Sequence, residues 1–314
     1  MSFFLSPSKP GQSHDLKAVQ ELRKIEHANA ITKKSTFFEI LVFMYELKKW
    51  LFIRVFCKFT FILYKNCFMG LIASLGKFIL FILDVFRKSE RRSVMYRLVL
   101  KEIYELGFKS LAFVVFVSLF VGAVVTLQTA ANMSSSFMPK ILIGYATRDA
   151  ILLEFSPTII SLLLAGKIGS NIASSIGTMK VTEQIDALEV MGVNPATHLV
   201  RPKIFALVFF NPLLIVLSMF AGIIGGLLAG TLSGECTVAE FVSGIQYDFI
   251  PFKAVYAIIK TVLFGFVIAS VSSFHGFYTD GGALEVGKSS TKAVVYSSVV
   301  IIVLNYILTQ LLLN

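Results

Sequence analysis

Long apolar runs, separated by short polar connections, dominate the chain from about residue 108 onward. A helix needs ~20 mainly apolar residues to cross a membrane, because the bilayer core offers no water to backbone groups outside helical hydrogen bonds. Four runs reach that length readily, and a fifth, which contains Glu154 and Pro157, reaches it when the residues before it are added. The pattern predicts an all-α polytopic membrane protein with spans at about residues 108–131, 146–166, 203–232, 253–275 and 292–313.

The first part of the chain has a different pattern. Residues 1–36 are polar and mixed in charge, and the apolar stretches that follow are interrupted by Arg54, Lys58, Lys65 and Lys77. Basic residues at that frequency suit helices that lie in the headgroup plane, where long side chains reach lipid phosphates. A sixth span over residues 68–86 stays open as an alternative, and the cost of Lys77 at bilayer depth argues against it.

The distribution of charge gives an orientation. The chain is 56% hydrophobic with a formal charge of +10, and 19 of its 29 Lys and Arg residues lie in the first 110 residues. Cytoplasmic flanks carry the excess of basic residues, so the N-terminus is expected inside. Five spans then place the C-terminus outside, the connection 167–203 inside and the connection 233–253 outside.

An acidic stretch, GTMKVTEQIDALEVMGVNP, lies in the expected cytoplasmic connection at residues 177–195. At helical spacing Val181, Ile185 and Leu188 share one side, and the three acidic residues share a neighbouring edge. Gly192 and Pro195 form a stop signal for that helix. Two interpretations remain: a surface helix packed on the bundle, or a docking element for a soluble partner with a basic groove.

No catalytic or metal centre emerges from the motifs. The stretch GALEVGKS, residues 282–289, fits the phosphate-binding P-loop pattern, but a P-loop joins a strand to a helix in a soluble domain and this stretch connects two spans. Cys57, Cys67 and Cys236 show no metal-binding spacing. We therefore expect no catalytic site, no metal and no cofactor in this chain.

A resemblance to a known family is carried by the long stretch EFSPTIISLLLAGKIGSNIASSIGTMKVTEQIDALEVMGVNPATHLVRPKIFALVFFNPLL, and by GIIGG and GKSSTKAVVYSS further on. The sequence resembles the MlaE family of permeases, the membrane subunits of MCE-associated lipid-transporting ABC systems. The resemblance covers about residues 71–314 and implies an interfacial (elbow) helix near residues 71–86, five spans and a cytoplasmic coupling helix. Residues 1–70 lie outside it as an N-terminal extension of unknown role.

The family resemblance also implies function and partners. It implies a homodimeric permease that moves phospholipid-like molecules and carries no catalytic site, with ATP and Mg bound by a separate cytoplasmic ABC ATPase. The other implied partners are an MCE-domain protein on the outer side and an accessory STAS-domain protein, and no nucleic acid is expected. A bacterial inner membrane is favoured over a plastid inner envelope. The stretch 177–195 matches the coupling helix, which implies ATPase contacts for Glu183, Gln184, Asp186, Leu188 and Glu189.

Lipid-site residues carry over from the family at the end of the first span and the start of the second. Val125, Met133, Glu154 and Phe155 match positions that line the lipid site, and Gln128 and Asn132 lie beside them. Apolar walls suit acyl chains and a few polar groups suit a headgroup.

The sequence departs from the family pattern at three positions. Leu153 stands where some members have Arg, Ser156 where Gly is usual, and Asn305 where Asp is common, which leaves headgroup selectivity open. The alternative function is an ion-gradient-driven secondary transporter, for which Glu154 and Lys260 are the candidate pair of intramembrane charges, although the sequence shows no internal repeat.

Overall fold

The protein is described from a computed structural model, in residues 73–87, 92–133 and 139–313. The chain divides into two compact units, Met1–Leu75 and Gly76–Asn314, and nearly all described residues belong to the second. All regular structure in the described residues is helical. The predicted N-terminal extension, residues 1–70, lies outside them.

Eight helices follow one another in the described part of the chain. They are α1 (73–87), α2 (92–132), α3 (Ile141–Val181), α4 (Gln184–Val190), α5 (Ala196–Leu232), α6 (Val238–Gln246), α7 (Pro251–Phe277) and α8 (Ala283–Leu313). Five of them, α2, α3, α5, α7 and α8, are long and apolar enough to cross a membrane. The predicted all-α polytopic architecture with five spans is confirmed.

The helices extend well beyond the predicted spans. The second span, expected to end near residue 166, continues as helix α3 to Val181, and α8 begins at Ala283 rather than near residue 292. At about 1.5 Å per residue, the 41 residues of α3 measure ~60 Å, twice the thickness of the bilayer core. Hydropathy indicates where a helix leaves the apolar layer, and nothing in the polar residues that follow obliges the helix to end there.

Two segments of α3 are π-helical, Ile151–Ile159 and Ala165–Gly169. The first contains Pro157, which has no backbone N–H to donate to the preceding turn. A widened turn accommodates such an interruption of the hydrogen-bond ladder, and π turns of this kind are frequent at functional sites. Glu154 and Phe155 lie within this first segment.

Glycines bring α2 and α5 into close contact. A Cβ atom added to Gly122 would lie 1.9 Å from the carbonyl oxygen of Gly222, and one added to Gly225 would lie 2.0 Å from that of Leu119. In membranes such small residues let helix backbones approach and gain packing contacts. Apolar side chains of α3, α5 and α7, including Leu164, fill the core beside this crossing.

Helix α1 packs by one edge only. Phe81 and Val85 are buried, and the ring of Phe81 lies 5.7 Å from that of Phe274 in α7, whereas Ile79 and Leu83 are exposed. This one-sided burial fits the predicted interfacial helix. Whether residues 68–86 cross the bilayer stays a prediction, because that segment begins outside the described residues.

The connection between α5 and α7 contains a short helix that the hydropathy pattern did not predict. In α6 the Thr237 hydroxyl accepts a hydrogen bond from the Glu240 amide at 3.3 Å, and the Glu240 carboxylate accepts one from the Thr237 amide at 2.8 Å. This reciprocal capping box satisfies two amides at the start of the helix. Nine residues are too few for a convincing helical periodicity in the sequence.

Candidate functional site

A polar cluster surrounds Glu154 within the bundle. One carboxylate oxygen accepts a hydrogen bond from Lys260 Nζ at 3.1 Å, and the other accepts one from Asn305 Nδ2 at 3.0 Å. The Thr158 hydroxyl lies 3.2 Å from Glu154 Oε2 and 3.1 Å from Asn305 Oδ1, so its single proton serves one of them. Helices α3, α7 and α8 thus meet at this carboxylate.

Lys260 is the buried member of this ion pair. Its side chain is 0% exposed, whereas that of Glu154 is 44% exposed. Nζ also donates to the carbonyl oxygen of Leu153 at 3.0 Å and lies 4.6 Å from the centre of the Tyr256 ring. A charge at this depth is expensive unless it is paired, and Glu154 supplies the compensating charge. The cluster is therefore neutral overall, with one face of the carboxylate open.

The sequence predicted Glu154 as a site residue and paired it with Lys260 only in the secondary-transporter alternative, and its contacts with Thr158 and Asn305 were not predicted. Leu153, the residue before Glu154, contributes its carbonyl oxygen to Lys260. Lys260 and Asn305 are far from Glu154 in the chain, and only the packing of α7 and α8 on α3 brings them together. The sequence signal for this pair was one acidic and one basic residue, each placed away from the ends of a predicted span.

Phe155 lines a small cavity between α2, α3 and α5. The cavity measures about 10 Å³ and is also lined by Val121, Gly122 and Gly222, which gives it about the space of one water molecule. It is too small for an acyl chain. A lipid-sized cavity therefore needs surfaces beyond this pocket.

Three serine hydroxyls form a chain of contacts between α2, α5 and α3 in the same region. Ser118 Oγ of α2 lies 2.8 Å from Ser218 Oγ of α5, which lies 3.1 Å from Ser156 Oγ of α3. All three side chains are buried. Ser156 thus joins a hydroxyl chain that ties the π-helical segment to two neighbouring helices.

The other predicted lipid-site residues lie along the last turns of α2. Val125 is buried, Met133 is half-buried, and Gln128 and Asn132 are exposed. In the described residues none of these four lines the cavity beside Phe155. Their role in binding lipid stays a prediction.

The acidic stretch does not form the single helix expected over residues 177–195. Helix α3 runs to Val181, and the chain then turns at Glu183, which has a left-handed φ of 58°. Helix α4 begins at Gln184, with Ile185 buried in the core and Leu188 half-buried. Ile185 of the apolar edge therefore packs on the bundle, and the turn separates Glu183 from the helix.

The end of α4 follows the predicted stop signal. Gly192 has a φ of 76°, its amide donates to the Glu189 carbonyl at 2.9 Å, and the Val193 amide donates to the Leu188 carbonyl at 3.1 Å. This pair of bonds is a Schellman motif, which needs a left-handed residue that glycine adopts without strain.

The outward surface of α4 mixes acidic and apolar side chains. Asp186 is exposed and bonds Lys180 Nζ at 2.7 Å, and Glu189 is exposed beside it. Val190 is 90% exposed and Met191 68% exposed. Neither residue is among the predicted site residues, although large apolar side chains beside a helix stop were a usable signal. We call Asp186, Glu189, Val190 and Met191 the α4 tip.

The P-loop-like stretch is helical. Residues 283–289 form the first two turns of α8, where Lys288 Nζ bonds Glu285 Oε1 at 2.6 Å. Their amides follow the helix and do not form the phosphate cradle of a P-loop. In the described residues no group of three or more His, Cys, Asp or Glu side chains could hold a metal ion.

Comparisons with known proteins identify the family. The model of the family Permease MlaE matches residues 99–311. A probable ABC transporter permease protein of Rickettsia bellii is 33% identical over 238 residues, covering 76% of this chain and 92% of the relative. A probable ABC transporter permease protein of Synechocystis is 34% identical, with 68% and 81% of the two chains covered.

A further relative has a more specific name. The intermembrane phospholipid transport system permease protein MlaE of Haemophilus influenzae is 30% identical over 218 residues, covering 69% of this chain and 83% of the relative. The family model alone matches more than half of the chain, and five helices of the right length and composition accompany it. The chain therefore belongs to the MlaE family of permeases and is a multi-pass membrane permease subunit.

Proposed function

We propose that this chain is the permease subunit of an ABC transporter that moves phospholipid-like molecules between the inner membrane and an MCE-domain protein. The observation that carries the proposal is the Glu154–Lys260 pair, a half-open carboxylate held by a buried cation inside an apolar bundle. A polar group in an apolar setting matches a molecule with a polar head and apolar tails. The phospholipid transport named for the Haemophilus relative supports the same substrate class.

Glu154 is the group that meets the headgroup in this proposal. Its negative charge is balanced by Lys260, and its exposed face offers acceptor lone pairs. Such a face suits a headgroup that donates hydrogen bonds, such as one with an ammonium or hydroxyl group. Phe155, which is half-buried, provides apolar surface for acyl chains.

The energy source is a separate ABC ATPase, which binds ATP and Mg and docks on the α4 tip. The exposed acidic residues suit a basic groove, and the exposed Val190 and Met191 supply apolar contact area. The relatives named as ABC transporter permeases support such a partner. The chain itself has no catalytic role in this scheme.

Two copies of the chain form the permease, with an MCE-domain protein on the outer side and a STAS-domain protein as an accessory. Exposed apolar residues along α8, including Val299, Ile302, Val303 and Tyr306, give a second copy or lipid a surface to cover. The N-terminus lies in the cytoplasm and the C-terminus in the periplasm.

A secondary transporter is the second candidate, because the Glu154–Lys260 pair provides the paired intramembrane charges that ion-coupled carriers use. One experiment separates the two. The affinity-tagged chain is purified from its native membranes in mild detergent, and bound proteins and lipids are identified by mass spectrometry.

We expect an ABC ATPase and phospholipid to co-purify, and ATP to be hydrolysed by the complex. The phospholipid content should fall when Phe155 is replaced by Arg and should be unchanged for the control Glu285→Gln at an exposed ion pair. If no ATPase co-purifies with the chain and lipid transport requires an ion gradient, the chain is a secondary transporter.

A further inference from the structure

A second ion pair lies along the same seam between α3 and α7. Asp149 Oδ2 lies 2.5 Å from Lys253 Nζ, and Glu154 Oε1 lies 3.1 Å from Lys260 Nζ. The two lysines are seven residues apart, about two turns, so they lie on the same face of α7. Two ion pairs therefore join α3 to α7 along this seam. Asp149–Lys253 lies near α6, and Glu154–Lys260 lies at the polar cluster.

The π-helical segment of α3 contributes to the direction in which Glu154 points relative to Asp149. Residues five apart on an α-helix differ by about 140° around its axis, which would point Asp149 and Glu154 in different directions. The π-helical Ile151–Ile159 segment closes its hydrogen bonds between residues five apart. Asp149 lies just before this segment, in the α-helical part of α3, and the wider turns that follow reduce the angle between its side chain and that of Glu154.

Arg148 holds Asp149 and the connection after α6. Its side chain is 2% exposed and donates two hydrogen bonds to Asp149 Oδ1, at 3.0 and 2.7 Å. It also donates to the carbonyl oxygens of Ile245 and Tyr247, both at 2.7 Å. We call Arg148, Asp149 and Lys253 the seam latch.

The two ion pairs differ in how easily water can separate their charges. The side chains of Asp149 and Lys253 are 18% and 17% exposed, so water can replace part of their interaction. Lys260 is fully buried, so its charge cannot leave Glu154 while α7 stays against α3. Of the two ion pairs, Asp149–Lys253 is therefore the one that water can open while α7 stays against α3.

We propose that Asp149 and Lys253 are positioning residues that close the α3–α7 seam over the Glu154–Lys260 pair, and that a phospholipid headgroup reaches Lys260 through this seam when the latch opens. This inference rests on the proposed function, since it assigns the route to the same polar cluster. The phosphate of the headgroup is the group that replaces Glu154 on Lys260 once the seam is open. Asp149 and Lys253 act through the position of α7 and need no contact with bound lipid.

Ala257 provides a reporter for the seam. It is fully buried and lies on α7 between Lys253 and Lys260, four residues after the first and three before the second. An Ala257→Cys variant, with the three native cysteines replaced by serine, is purified as the complex in phospholipid nanodiscs. The rate of labelling by a water-soluble maleimide is measured together with the phospholipid bound per protein.

With the latch intact, we expect Ala257→Cys to be protected. Lys253→Met and Asp149→Asn should each raise the labelling rate about tenfold and lower the bound phospholipid at least twofold, whereas Lys253→Arg should restore both. The matched control is Glu285→Gln, which breaks an exposed ion pair on α8 and should change neither. A latch that opens during transport also predicts faster labelling of the otherwise unchanged complex when ATP and Mg²⁺ are added.

The latch proposal would be overturned if Lys253→Met and Asp149→Asn changed neither the labelling rate nor the amount of bound phospholipid. If Lys253→Met fails to fold, Lys253→Gln, which keeps a hydrogen bond to Asp149 and removes the charge, takes its place under the same criteria. An equal loss in Lys253→Arg and Lys253→Met would also overturn it, because that result marks Lys253 as a packing residue. Absence of phospholipid from the unmodified complex would instead count against the proposed function, whatever the labelling shows.

Discussion

Lys260 of α7 is completely buried, yet its partner Glu154, 3.1 Å away, is half-exposed. This asymmetry predicts unequal effects of removing either residue. Glu154→Gln leaves an uncompensated buried cation and should cost about 2–3 kcal/mol, below the range for fully buried pairs because the carboxylate is half-exposed. Lys260→Met removes the buried charge and leaves a carboxylate that water can reach, so it should cost about 1 kcal/mol or less.

Thermal unfolding of the two variants in detergent checks this prediction. Glu154→Gln should melt at a lower temperature than Lys260→Met, and the double variant should lie close to Lys260→Met. Equal melting temperatures for the two single variants would contradict the asymmetry.

The Gly122–Gly222 crossing predicts a position that tolerates no side chain. In Gly122→Ala the new Cβ would lie 1.9 Å from the backbone oxygen of Gly222, so α2 and α5 must separate, and we expect a loss of at least about 3 kcal/mol from overpacking. The control is Gly76→Ala in α1, where nothing lies within 4 Å of the added atom and the substitution should stabilise the helix by up to ~1 kcal/mol. Yield and melting temperature are the measurements, and similar values for both variants would refute the close crossing.

The α4 tip predicts selective loss of the ATPase. Asp186→Lys combined with Glu189→Lys should at least halve the ATPase that co-purifies at moderate salt, because like charges then face each other in the proposed basic groove. The pair Val190→Asp and Met191→Asp should act similarly through lost apolar contact. Both variants alter exposed side chains, so melting temperature should change little. Full recovery of the ATPase in both would show that α4 is only a surface helix.

The orientation of the chain is open to a labelling test in a variant whose native cysteines are replaced by serine. Ser233→Cys, between α5 and α6, should react with an impermeant maleimide added to the outer face of intact spheroplasts. Met191→Cys should react only after the membrane is opened. The reverse pattern would place the N-terminus outside.

The capping box of α6 predicts a local dependence on pH. The hydrogen bond from the Thr237 amide, followed by that from its hydroxyl, lowers the pKa of Glu240 below its usual value. A carboxyl with a lowered pKa stabilises the helix above its unfolded-state pKa, and that contribution is lost as pH falls through the lower folded-state value. Amide hydrogen exchange at Glu240, referenced to an unfolded peptide, should show weaker protection at low pH, and Glu240→Gln should abolish this dependence. Equal pH dependence in both proteins would contradict it.

The sequence was sufficient for the five spans and for the stop at Gly192, because both depend on local properties, apolar length and a residue that adopts positive φ. It was not sufficient for the length of α3, since hydropathy reports the depth of a residue and not the continuity of a helix. The turn at Glu183 has no local signal, because nothing about glutamate favours a left-handed conformation. The partners of Glu154 depend on how α7 and α8 pack, which lies beyond any pattern within one span.

The continuity of α3 has a mechanical consequence. From Glu154 to Val181 the helix runs for about 40 Å at ~1.5 Å per residue, and it ends at the turn that carries α4. A tilt of about 5° at the α4 end displaces the Glu154 end by ~3.5 Å over that length, which is more than the 3.1 Å between Glu154 and Lys260. A rotation applied at the α4 end would therefore be amplified along α3 and would act directly on the Glu154–Lys260 pair.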